Sequence, residues 1–343
     1  MKIETVWNSN LLNLIFIFES PPLLLSLKRI IKKHHMSIRI LTAFTFIMVF
    51  IGCHSYIQRT VWQSFSRLCD TIPSPTHSIT NPEIPDAKLT VSWIGHATVL
   101  IQIHDKYFIT DPLFSNTIGL LVKRYVKVGI DPNILPKIDF TVISHLHLDH
   151  FSFSGLDAIS KNGTLVVPDG SAAYTPEFDF GDFRELKSWE AFEKDGVRIT
   201  AVPVQHFTGR YGFDVTWLGE KGYTGYVLEY CGITVFFAGD TGYDPDLFKE
   251  IGKQFKIDLA IVPIAPSSST GLGGHVHVSP SGALEIMKDT GAKYLLPVHY
   301  GAFLYGSTSN PLGPLERLLT EARTHGVFEQ IIGLEVGQQR VLF

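Results

Sequence analysis

Residues 144–151 read Ser-His-Leu-His-Leu-Asp-His-Phe, so His145, His147, Asp149 and His150 fall within six positions. Imidazole and carboxylate donors at this density suit zinc, manganese or iron. A metal held by such donors lowers the pKa of a bound water and polarises a substrate, which is the chemistry of hydrolysis at neutral pH. The alternative is a surface loop that happens to be rich in histidine. A lone His-x-His would favour that alternative. The full pattern directly after the β-prone run 140–144 does not, because a strand end gathers side chains while leaving room for water and substrate. His145 and His147 then project from one side of an extended stretch, and Asp149 and His150 follow past the bend.

The elements that must position these groups are legible in outline. Short runs rich in β-branched and aromatic residues, bounded by turn signals, predict strands at 89–93, 99–103, 107–110, 140–144, 165–168, 197–204, 224–230, 234–238, 259–263 and 294–297. Helical patterns occupy 244–254, 279–290 and 311–325, and Ser279-Pro280 is a capping serine followed by proline in the first turn. Strands come first and are then interleaved with helices, which predicts an α/β domain of two sheets with helices packed outside them. The chain has 343 residues, 45% hydrophobic and 18% charged, enough for a sizeable core. Its net charge of −4 gives no electrostatic reason to expect a nucleic-acid partner. Cys53, Cys69 and Cys231 are too scattered for a zinc-type pair or a disulfide framework.

The His-x-His-x-Asp-His motif resembles the defining signature of the metallo-β-lactamase superfamily, and the resemblance extends over nearly all of 88–343. It implies a four-layer αββα sandwich and three further ligands, in the order histidine, aspartate, histidine, each near a strand end. VPVQH (202–206), FFAGDTG (236–242) and LLPVH (295–299) supply them as His206, Asp240 and His299. By the same resemblance His145, His147 and His206 hold one ion, Asp149, His150 and His299 the second, and Asp240 bridges both. The implied cofactor is a pair of Zn2+ ions, with Mn2+ or Fe2+ as alternatives, sharing a hydroxide nucleophile. Asp149, Asp240 and His277 are the candidate catalytic residues.

Departures narrow the branch. The antibiotic-hydrolysing members commonly use a cysteine ligand where this chain has Asp240. The di-iron members usually carry glutamate at the place of His147, and the nucleases carry RNA-gripping insertions that are not evident here. SWIGHATV (92–99), ITDPLF (109–114), FAGDTGY (237–243), IVPI (261–264), HVSP (277–280) and VHYG (298–301) are similar to the N-acyl-phosphatidylethanolamine phospholipase D family. That resemblance implies a lipid phosphodiester substrate. The L-ascorbate-6-phosphate lactonase family shares the Gly-His-Ala-Thr and Thr-Asp-Pro elements, so a lactonase acting on a sugar phosphate is the rival, and a non-catalytic metal-binding envelope protein the third reading. Asp111 either orients a ligand histidine or forms an Asp-Pro turn. His96 lines the site or is a turn residue. His277 matches a histidine near the metals in the phospholipase family, suited to contact phosphate or protonate the leaving group; His275 is a weaker candidate. The Ser- and Gly-rich stretch 267–274 reads as a loop beside the site. Phe207, Tyr211, Phe213 and Trp217 line a lipid groove, pack in the core or belong to an ordinary hairpin.

The N-terminal region is expected to be separate. Residues 54–86 carry a proline- and serine-rich composition, giving a division into 1–53, a linker over 54–87, and the hydrolase domain over 88–343. A basic residue followed by the apolar run 40–53, ending in Phe-Ile-Gly-Cys53, is too short to span a bilayer comfortably. It resembles a bacterial lipoprotein signal, with Met36 as the true start and lipidated Cys53 as the mature terminus. The implied location is the bacterial cell envelope, membrane-anchored and facing out of the cytoplasm. An uncleaved anchor over 38–57 and a cytoplasmic protein are the alternatives.

Overall fold

The computed structural model describes residues 63, 64, 66, 67, 69–119, 122–159, 162–211, 214, 218–266, 276–304 and 310–343. The signal-like segment with Cys53, the loop 267–274, His275, Phe213 and Trp217 lie outside the described residues.

Fifteen described strands, β1 (Leu89–Gly95), β2 (Thr98–Ile103), β3 (Lys106–Thr110), β4 (Thr117–Ile118), β5 (Val122–Lys123), β6 (Phe140–Val142), β7 (Thr164–Pro168), β8 (Asp182–Leu186), β9 (Ala191–Lys194), β10 (Val197–Val202), β11 (Gly225–Tyr230), β12 (Ile233–Phe237), β13 (Leu259–Pro263), β14 (Tyr294–Val298) and β15 (Gln339–Val341), form two large sheets and the small β4–β5 ribbon. The seven-stranded sheet runs β15-β1-β2-β3-β6-β7-β8, and the six-stranded sheet runs β14-β13-β12-β11-β10-β9. Among the described residues these sheets are accompanied by the helices α1 (Phe153–Asp157), α2 (Pro245–Gln254), α3 (Pro280–Thr290) and α4 (Gly313–Thr324).

The period-2 alternation of strand side chains decides the layering. In the first sheet Leu89, Val91, Trp93, Val99, Ile101, Phe108, Phe140, Val142 and Val166 join a core shared with β10–β14. The intervening Ile94, Leu100, Ile109, Ile143, Leu165 and Val167 face the opposite way into a second cluster, closed by Phe151 and Leu156. Helices α2 and α3 pack against each other, and α3 against β13 and β14. This is the αββα sandwich expected from the sequence, with its outer layers unequal. Three helices of ten to twelve residues flank the six-stranded side. The other outer layer has the five-residue α1 and irregular chain. Between 73 and 87 the chain lies against the domain: Lys127 N donates to Pro73 O, Ile79 N donates to Gly129 O, and Gln102 clasps the Ile84 backbone through both ends of its amide.

Strand direction builds the site. In the first sheet β3, β6, β7 and β8 are mutually parallel, and β1, two antiparallel steps from β3, points the same way. In the second sheet β12, β13 and β14 are parallel, and β10 shares their direction across the antiparallel β11. Every candidate ligand follows the carboxyl end of one of these strands, the edge where open α/β sheets bind ligands.

Among the described residues no helix is long and apolar enough to cross a membrane, and Cys69 and Cys231 are free and exposed.

Candidate metal centre

Strand β6 ends at Val142 and the chain turns inward, burying Ser144, His145 and His150. His145, His147 and His206 each bring one nitrogen, all within 4.8 Å of one another; His96, Asp149, His150 and His299 form a second such group. Asp240, after β12, lies beside the second group. Its Oδ2 is 3.3 Å from His150 Nε2, 3.2 Å from His299 Nε2 and 3.5 Å from His277 Nδ1. All seven residues read from the motifs are thus brought together, and His277 joins them at the rim.

Hydrogen bonds from behind fix which nitrogen each ring presents. His150 Nδ1 donates to Asp111 Oδ2 at 2.7 Å. Ser144 Oγ donates to the same oxygen at 2.6 Å and therefore accepts from His145 Nδ1 at 2.9 Å. Ser144 N holds Asp111 Oδ1 at 2.7 Å. His206 Nδ1 donates to the carbonyl of Val276 at 2.9 Å. In all three rings Nε2 is the nitrogen turned to the cavity. The fourth ring is reversed: His147 turns Nδ1 toward His145 Nε2 at 2.9 Å. Asp111 accordingly orients a candidate ligand histidine. As the third member of a fully buried group with His145 and His150, it stands behind the rings, since its carboxylate engages Nδ1 of His150.

The donors fit metal ions. His206 Nε2 and Asp240 Oδ1 are buried with no hydrogen-bond partner among the described residues, an expensive arrangement unless a cation completes it. The electrostatics agree. Burial, reinforced by neighbouring histidines, holds His145 and His147 below the usual imidazole range, and burial pushes His206 down to about 3, so these rings are neutral at pH 7, the form a metal ligand takes. Burial alone would raise Asp149 and Asp240, yet the facing histidines keep both carboxyls well below their ordinary value. Burial would likewise lower His150 and His299. The facing Asp240 and Asp149 overcome it, pushing His299 up to about 9 and His150 well above the ordinary range. Protons on these two rings occupy the electrostatic place of a cation.

Three left-handed residues hold the site: His96 (φ 59°), Asp111 (φ 35°) and His299 (φ 66°). Such conformations are costly for residues with a Cβ and persist where the surroundings over-determine them. Gly239 (φ 60°) lies so close to Ser144 that a Cβ would collide with the serine side chain. Sequence reasoning did not single out Ser144, although it directly precedes the motif. It also missed Arg210, whose Nη1 donates to Phe151 O at 2.5 Å and Leu146 O at 3.3 Å and so brackets the histidine-rich loop. No local pattern announces a contact made across some 60 residues.

A family model for the Beta-lactamase superfamily domain matches residues 106–300. The chain belongs to that superfamily. Among curated proteins it is 28% identical to an N-acyl-phosphatidylethanolamine-hydrolyzing phospholipase D of Caenorhabditis elegans, over 77% of this chain and 79% of that one. It is 30% identical to the mitochondrial enzyme of the same description in Saccharomyces cerevisiae, over 72% of this chain and 54% of that one. Among solved structures, an isothiocyanate hydrolase from Delia radicum gut bacteria superposes with a TM-score of 0.60 at 19% identity, over 74% of this chain and 99% of that one, a likeness of fold. Superfamily membership, together with a buried His/Asp cluster able to bind metal ions, makes the chain a metal-dependent hydrolase in class.

Proposed function

We propose that this superfamily member is a di-zinc phosphodiesterase acting on a lipid substrate of the N-acyl-phosphatidylethanolamine type. The observation that carries the two-ion reading is the arrangement of two donor groups with the Asp240 carboxylate set against the second and its other oxygen left unpartnered. His145, His147 and His206 would hold one ion, Asp149, His150 and His299 the other, with Asp240 shared. Bound there, the ions would lower the pKa of a water between them and polarise the phosphodiester.

The chain's own groups supply the rest. Asp111 and Ser144 lock the rings that must not rotate. His277 sits at the rim, 20% exposed, with its ring 5.4 Å from His206 and 5.7 Å from His299. Burial holds it down to about 4 against the pull of Asp240, so at pH 7 it is a neutral ring. It is suited to donate an N–H hydrogen bond to a phosphoryl oxygen, or to take up a proton and pass it on.

The rim favours a lipid. Leu148 and Phe207 are 45% exposed and Tyr211 67%, and the Phe207 ring lies 5.1 Å from His147. Core packing, one of three readings for these aromatics, does not describe Phe207 or Tyr211. Apolar side chains standing in water beside a polar cavity suit a substrate with a charged head and hydrocarbon tails. The proposal includes an extracytoplasmic membrane tether through Cys53, which fits such a substrate.

The test uses the full-length protein, zinc-loaded and metal-stripped, on bis-p-nitrophenyl phosphate, N-acyl-phosphatidylethanolamine micelles and a lactone panel. Zinc-dependent cleavage of the phosphodiesters, lost in His147→Ala, is the expected result. Lactone opening with silent phosphodiesters would transfer the protein to the lactonase reading, and silence on the whole panel would favour a metal-binding protein without turnover.

A further inference from the structure

We infer that His96 is a positioning residue for the second donor group: a hydrogen-bond donor that fixes Asp149, and not itself a metal ligand. The inference rests on the two-ion reading above. His96 reaches the site from the far end of the domain's sequence, at the β1–β2 turn, where the register slips between Trp93 and Gly95. Gly95 (φ 127°) and then His96 (φ 59°) turn the chain so that the imidazole enters the cavity completely buried.

The backbone makes this residue a junction. Its carbonyl accepts from His299 N at 3.1 Å and from Trp93 Nε1 at 2.9 Å. Its ring lies 4.1 Å from the ring of His299, 5.1 Å from that of His150, and edge-on to Phe303 at 5.3 Å. Both neighbouring ligands are therefore placed partly by His96.

Proximity alone would let the imidazole count as a ligand, since one of its nitrogens lies within 4.8 Å of the donor atoms of Asp149, His150 and His299. Direction decides otherwise. His96 Nε2 is 3.1 Å from Asp149 Oδ2. That oxygen stands 3.6 Å from both His150 Nε2 and His299 Nε2, so His96 makes the shortest of the three ring contacts with it. An ionised carboxylate accepts only, and a hydrogen bond there places the hydrogen on Nε2 and leaves that nitrogen no lone pair for an ion. A carboxylate anchored in this way turns in a fixed orientation toward its metal, and loss of such an anchor costs 10–100-fold in metal affinity.

Two substitutions separate donor from ligand. His96→Gln keeps an N–H near the position of Nε2, and His96→Leu keeps bulk without a donor. Zinc titration against a chromophoric chelator, with circular dichroism as the check on folding, is expected to show two ions in the wild type and in His96→Gln. His96→Leu should keep one ion at wild-type affinity and bind the second roughly 10–100-fold more weakly. Unchanged affinity for both ions in His96→Leu would overturn the inference. So would loss of the second ion in His96→Gln, which would make His96 a ligand.

A measurement on the unaltered protein guards against misfolded variants. In the zinc-loaded wild type the 15N resonance of His96 Nε2 should be that of a protonated ring nitrogen, and a metal-coordinated signature would contradict the inference. A wild type that takes up a single ion would overturn the two-ion reading, while the state of this nitrogen would still decide the role of His96.

Discussion

Asp111 is completely buried, and two candidate ligand histidines depend on it. Its carboxylate takes His150 directly and His145 through the Ser144 hydroxyl. Asp111→Asn keeps the size but makes one side of the group a donor where only acceptors fit. Zinc affinity, measured by chelator competition, should fall about 10–100-fold while the fold is retained. The raised pKa of His299 gives a second prediction. Its folded value of about 9 lies above the ordinary histidine value of about 6.5 in an unfolded chain. In the metal-free protein this group therefore contributes stability that is fully present below about pH 6.5 and is lost as pH rises through about 9, on the order of 3 kcal/mol. The urea midpoint of chelator-treated protein should fall between pH 7 and pH 10. Zinc-loaded protein should lack that decline, because the ion has replaced the proton. At this scale the candidate ligands that the fold gathers were legible because their types and spacing carry the chemistry. The partners of those ligands were not: His96 meets Asp149 from 53 positions away, and the carbonyl of Val276 has no side-chain identity for a sequence to display.

Loops after parallel strands carry the ligands, so the elements matter as directional mounts. Helices α2 and α3 were legible because their caps are chemical; α4 was legible without a capping side chain, and the five-residue α1 was missed although Ser152 caps it. The Asp244 side chain accepts from Asp246 N, the Ser279 side chain accepts from Gly282 N, and Gly291 (φ 65°) stops α3. Strands β8, β9 and β15 were missed because they are short and partly charged, with hardly a fully buried residue among them, and their pairing partners rather than their own residues make them strands. The run read as 140–144 is a strand only to Val142. Beyond it Ser144 gives up sheet pairing with the β3 side and instead accepts from Thr224 N at 2.9 Å, which ties the two sheets together at the site. Two variants test the mounts. Gly239→Ala forces a Cβ into Ser144 at a positive φ, so it should destabilise by at least about 1 kcal/mol and lower bound zinc, read by thermal unfolding and metal analysis. Arg210 stacks over Phe153 at 4.4 Å while its Nη1 holds two buried carbonyls. Arg210→Leu leaves those carbonyls without a donor, an expected loss of about 1–3 kcal/mol per unsatisfied group in urea denaturation.

Across the whole domain, two sheets that share one hydrophobic core present the ends of β1, β3, β6, β10, β12 and β14 at a single edge. The layer order was legible from strands followed by interleaved helices. The inequality of the outer layers was not, because the apolar outer face of β2, β3, β6 and β7 is covered largely by irregular chain with no periodicity to read. Ions bound only by the folded state should stabilise the domain by about 2.7 kcal/mol at a concentration a hundredfold above their Kd. For a domain of this size chelation should then lower Tm by roughly 5–10 °C. The two-ion centre itself is tested most directly by anomalous X-ray scattering at the zinc edge from crystals of the zinc-loaded protein. Two peaks are expected, one among His145, His147 and His206 and one among Asp149, His150 and His299, with the Asp240 carboxylate between them. A single peak, or none at these side chains, would contradict the dinuclear centre.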